Sequence, residues 1–101
     1  MTAADKLGGY AMGFGKLNAD MVAANVTDDY KLLDKDGKIY GKGDLPGVIS
    51  ELRELGDKMV ITNVVVDGET AWCKWQVGDI VGAGLITFRD EGVSQEQLFY
   101  A

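Results

Sequence analysis

The stretch "KGDLPGVISELRELGDKMVITNVVVDGETAWCKWQV", residues 42–77, changes its hydrophobic period in the middle. Up to Gly56, Leu45, Val48, Ile49, Leu52 and Leu55 recur at three- and four-residue spacing, the buried stripe of a helix, while Glu51, Arg53 and Glu54 face water. Asp44 reads as the N-cap, Pro46 fits the first turn and Gly56 stops the helix. After Asp57 the chain turns β-branched. "KMVITNVVVD" reads as a strand, "DGET" at 67–70 as a hairpin turn and "AWCKWQVG" as the returning strand. A helix that gives way to successive hairpin strands points to an α+β domain.

The flanks extend the pattern in both directions. "IVGAGLITFR", the turn "DEG" and "VSQEQLFYA" supply two further strands, and Gly82 and Gly84 inside the first mark a bulge or a close approach to the backbone. Upstream, Leu7, Tyr10, Ala11, Phe14 and Leu17 give one apolar face to a helix over about 4–16. Its glycines weaken it by up to about 1 kcal/mol each relative to alanine and let something pack close. "ADMVAANV" reads as a short second helix. "DYKLLD" then reads as a short strand, and "DKDGK" as a turn in which Gly37 supplies a positive φ. The chain of 101 residues holds one domain, 1–101, with no room for a second core.

Bulk properties remove several functions. A formal charge of −6 disfavours nucleic acid and anionic membranes, and no apolar run is long enough to cross a bilayer. "MTAADKLGGYAMGFGK" does not read as a signal peptide, so the expected location is cytoplasmic. The chain has no histidine and one cysteine, Cys73, which excludes a Ser-His-Asp triad, a Cys-His pair and a disulfide within the chain. Two motifs are decoys. "YAMGFGKL" lacks the glycine and hydroxyl that a phosphate loop requires at Tyr10 and Leu17, and "DKDG" lacks the ligand spacing of a calcium loop. No metal and no cofactor are expected.

Taken in order, helix, short helix, "TDDYKLLD" strand, "GKG" turn, helix and four antiparallel strands resemble the nuclear transport factor 2-like superfamily. That superfamily includes SnoaL-like cyclases and ketosteroid isomerases. The segments that carry the resemblance are "KLNADMVAANVTDDYKLLD", "IYGKGDLPGVISEL" and "GAGLITFRDEGVSQEQLFY", and it runs through nearly the whole chain. It implies a cone-shaped, cystatin-like fold in which N-terminal helices pack on a strongly curved, mainly antiparallel sheet around an apolar pocket. It also implies a homodimer through the outer face of that sheet and a small apolar organic ligand.

Relatives often place a working carboxylate on the first strand, and that place here is Asp34. Strand alternation puts Tyr30, Leu32 and Asp34 on one face, where an apolar pocket would raise the acid's pKa and suit it to general acid–base work. The other reading has Asp34 open the "DKDG" turn in water. The isomerase constellation is incomplete. Its helix-one tyrosine falls at Gly13 or Phe14, with Tyr10 one turn earlier, and its second acid falls at Ile86, which cannot donate a hydrogen bond. Tyr10, Tyr30 and Tyr40 are the candidate donors, and Trp72 and Trp75 the candidate walls. Trp72, Lys74 and Gln76 share one strand face and Cys73, Trp75 and Val77 the other. Gln95, Gln97 and Phe99 likewise alternate with Glu96, Leu98 and Tyr100. Two functions are therefore expected to compete: acid–base chemistry on an apolar substrate, centred on Asp34 and Tyr10, and a non-catalytic binding or dimerisation module.

Overall fold

The computed structural model describes residues 2–101. Thr2 caps α1 (Ala3–Gly15) through a reciprocal capping box with Asp5, which offsets the cost of the helix's glycines. At Gly13 a Cβ would come within 2.7 Å of the Val22 backbone nitrogen, so the missing side chain is what lets α2 (Ala19–Ala23) pack against α1. Strand β1 (Val26–Leu33) follows, then β2 (Ile39–Gly41), a single 3-10 turn at Lys42–Asp44 and α3 (Leu45–Leu55). The Asp44 side chain accepts a hydrogen bond from Gly41 N at 2.8 Å and so braces the turn that precedes the helix.

Helix α3 is fastened at its C-terminal end. The Arg53 guanidinium donates to the Leu17 carbonyl at 2.7 and 3.1 Å, and the Gly56 that ends the helix lies against Gly78. Leu45 and Ile49 are buried, and Val48 and Leu52 pack partly against the core. Leu55, expected in the buried stripe, is exposed because it sits in the last turn, beyond the core.

The remaining strands are β3 (Met59–Asp67), β4 (Thr70–Val77), β5 (Ile80–Arg89) and β6 (Gly92–Tyr100). One six-stranded sheet runs in the order β2-β1-β6-β5-β4-β3. Its neighbours are antiparallel except β1 and β6, which pair in parallel with Leu32 opposite Glu96. Register breaks between Val26 and Lys31, between Thr62 and Val65 and between Thr87 and Phe88 bend the sheet, because a bulged strand bends and twists locally. In β3 the irregularity falls at Asn63, whose φ is +54°. The concave face receives α1 and α3. Along β4 the burial alternates strictly, with Ala71, Cys73, Trp75 and Val77 inward and Trp72, Lys74 and Gln76 outward.

Candidate functional site

Between the helices and the concave face lies a cavity of about 620 Å³. Leu7, Tyr10 and Phe14 of α1 form one wall, Val48 and Leu52 of α3 another, and Ile61, Trp75, Ile86 and Leu98 form the sheet side. Ala4, Gly8, Val64 and Val66 line it and are also exposed, which puts its mouth between the start of α1 and the far half of β3. Among the described lining residues none is Lys, Arg or Asp, and the one carboxyl is that of Glu96.

Glu96 comes from β6, on the inward face that also carries Leu98 and Tyr100, and its residue is 5% exposed. Its Oε1 accepts a hydrogen bond from the Tyr10 hydroxyl at 2.5 Å, and that hydroxyl lies 2.7 Å from the Tyr30 hydroxyl. When Glu96 is ionised the Tyr10 hydroxyl must donate its hydrogen bond to the carboxylate, so Tyr30 donates to Tyr10 and the three form a chain. The tyrosine rings also meet edge to face, with centroids 5.9 Å apart. The other oxygen, Oε2, lies over Gly84 of β5, where any Cβ would overlap it. Oε2 has no hydrogen-bond partner among the described residues. The expectation of a close approach at Gly82 and Gly84 is met twice, because the Trp75 indole covers Gly82 as Glu96 covers Gly84.

Burial without a cation raises the Glu96 carboxyl to about 7, and the Tyr10 hydrogen bond opposes only part of that rise. Burial, and then the charge of Glu96, push Tyr10 and Tyr30 well above the ordinary phenol range. The same two causes lift the Cys73 thiol to about 11. Near neutral pH the group is therefore one titrating carboxyl held by neutral neighbours. No three His, Cys, Asp or Glu side chains among the described residues are placed to hold a metal.

Of the residues singled out from sequence, Tyr10, Phe14, Leu32, Trp75 and Ile86 line the cavity. Tyr30 is buried behind Tyr10 and reaches it through its hydroxyl. The structure places the other three elsewhere. Asp34 does not line the cavity, because β1 ends at Leu33 and Asp34 starts the turn. Its N–H donates to the Lys38 carbonyl, its own carbonyl accepts from Gly37, and its carboxylate takes a hydrogen bond from the Tyr100 hydroxyl at 2.6 Å. Tyr40 lies on the short edge strand β2, packed on the core but away from the cavity. Trp72 is on the convex face, 47% exposed, with its ring 5.7 Å from that of Phe99.

The carboxyl that does enter the cavity was accessible to sequence reasoning through one signal. Glu96 is the lone acid among the alternate positions Glu96, Leu98 and Tyr100, and Gly84, two residues before its partner on the next strand, leaves room for its side chain. Ile86, where the resemblance would place an acid, is the direct cross-strand partner of Glu96. The acid thus enters the same region from the adjacent strand.

No family model and no curated protein sequence matches the chain. Solved structures do match in shape. A nuclear transport factor 2-like protein of unknown function from Burkholderia xenovorans LB400 superposes with a TM-score of 0.80 at 12% identity, over 97% of this chain and 81% of that one. A ketosteroid isomerase candidate from Kribbella flavida DSM 17836 gives 0.76 at 20% identity, over 96% and 76%. A de novo designed protein with a curved β-sheet gives 0.81 at 14% identity, over 100% and 88%. The chain has the nuclear transport factor 2-like, cystatin-like fold. The match to a designed protein shows that this likeness is one of architecture, and the chemistry has to come from the site.

Proposed function

We propose that the protein takes an apolar organic molecule into the cone and moves a proton on it, with Glu96 as the acid–base group. The observation that carries this reading is a single titrating carboxyl in an otherwise apolar cavity large enough for a small molecule. Oε2 is the atom free to take or give the proton, while Tyr10 steadies Oε1 and Tyr30 backs Tyr10. A carboxyl titrating at about 7 supplies both acid and base forms near neutral pH. Isomerisation, dehydration, cyclisation and water addition are the reaction types such a group serves.

The test is proton exchange next to the carbonyl of apolar cyclic ketones in D₂O, followed by proton NMR. The wild type should accelerate it, and Glu96→Gln should lose about 10²-fold or more. Equal rates for the two proteins would refute the acid–base role. A non-catalytic ligand carrier is the second reading, favoured by the absence of a second ionised group beside Glu96 among the described lining residues. Ligand binding without exchange would select it.

We also propose a homodimer through the convex face of the sheet. Trp72, Phe99, Val65 and Val81 are exposed there, and β-strand alternation places them on one side. Trp72→Glu should convert the dimer to a monomer in sedimentation velocity. A wild type that sediments as a monomer would overturn the proposal.

A further inference from the structure

We infer that the cavity selects lipophilic amines, bound as ammonium ions against Glu96 Oε2, over neutral and acidic molecules of the same shape. This builds on the reading of Glu96 as the cavity's working polar group. Oε2 belongs to the carboxyl of a buried residue and has no protein donor, in a cavity whose described lining holds no cation. A buried carboxylate ordinarily has a cation beside it, and here the ligand can supply one. The rings of Tyr10, Phe14 and Trp75 line the same space and add attraction for an ammonium group. The body of the ligand must be apolar, since every other wall is. The chain's net charge of −6 further disfavours an anion approaching the mouth.

The groups facing Glu96 leave its titration unobscured. Tyr10 from α1, Tyr30 from β1 and Cys73 from β4 are all neutral near pH 7. Strand β5 offers Gly84 and Ile86, and α3 offers Val48 and Leu52. An amine arriving as R–NH₃⁺ keeps its proton, and Glu96, if protonated, gives its own to the buffer, so that the product is R–NH₃⁺ beside –COO⁻. At pH 7 the free protein is about half protonated at this site, and binding should release about half a proton.

The experiment is calorimetric titration of adamantylamine, adamantanol and adamantanecarboxylic acid in two buffers of different ionisation heat. The amine should bind about fivefold or more tighter than the alcohol, as a charge-assisted hydrogen bond exceeds a neutral one, and the acid should bind weakest. Amine affinity should rise about tenfold from pH 6 to pH 8 as Glu96 ionises. Glu96→Gln should remove both the amine preference and the pH dependence. The proton release, measured on the wild type, does not rest on that variant folding. If the alcohol binds as tightly as the amine, or no proton is released, the amine preference falls. Should ketone exchange still depend on Glu96 in that case, the acid–base reading stands. If no member of the panel binds, both fall.

Discussion

Glu96→Gln should change how stability depends on pH, and both sign and size follow from the buried carboxyl. In the folded protein the group titrates at about 7, against an ordinary 4.5. The folded state therefore holds this proton more tightly than the unfolded chain. The stability it contributes is full below about pH 4.5, is lost as pH rises toward 7 and changes no further above that. At about 1.4 kcal/mol per unit, the loss amounts to about 3 kcal/mol. Glutamine keeps an acceptor for Tyr10 and does not titrate, so the variant lacks this slope. The other acids titrate alike in both proteins and cancel in the difference. Urea unfolding of the pair at intervals from pH 4 to pH 8, followed by tryptophan fluorescence, measures it directly, since Trp75 is buried. The wild type should lose about 3 kcal/mol relative to the variant over that range. A difference that stays flat, or that moves in the wild type's favour as pH rises, would refute the assignment of Glu96 as a buried carboxyl without a counter-ion.

Other consequences can be checked as simply. Gly84→Ala should cost about 1–3 kcal/mol, because its methyl group and Glu96 Oε2 claim the same space, and it should also weaken ligand binding in a calorimetric titration. On α1, Gly8→Ala should stabilise by up to about 1 kcal/mol in thermal unfolding, since a methyl there meets nothing within 4 Å. Gly13→Ala, on the same helix, should destabilise by about 1–3 kcal/mol, because its methyl would press on Val22. Asp34→Asn should leave ketone exchange unchanged and cost about 1 kcal/mol or less, since its contact with Tyr100 is only partly buried and an amide oxygen can still accept it. A tenfold loss of exchange in that variant would return the acid–base role to Asp34.

The helices and the long strands are legible in the sequence because their periods differ and their ends carry caps and turns. Three-residue β2 is too short to carry a period, and the parallel pairing of β1 with β6 joins segments more than sixty residues apart. In the site, alternation separates Trp72 from Trp75 without saying which faces the core, as both sets carry bulky residues. The inward set is fixed only when α1 and α3 settle on one face. Asp34 shows the limit of the same rule. Period two holds Tyr30 and Leu32 on the inner face but has no authority once the strand ends at Leu33, and the Asp34 carboxylate is held by the Tyr100 hydroxyl and does not line the cavity. Glu96 sits in the alternation plainly enough. Its depth depends on Gly84 and Tyr10, which reach it only through the folded sheet.

The extra residue at Asn63 has a consequence for what could pass the entrance. Two residues of β3 stand there opposite one of β4, so the strand bends while Val64 and Val66 still line the mouth of the cavity. The bend sets how far the end of β3 stands from the first turn of α1. An insertion or deletion at this one place would widen or narrow the opening while leaving Glu96, Tyr10 and Tyr30 untouched. Descendants of such a chain could therefore change the bulk of the molecules they admit by editing the length of an edge strand, with the acid and its supports carried along unchanged.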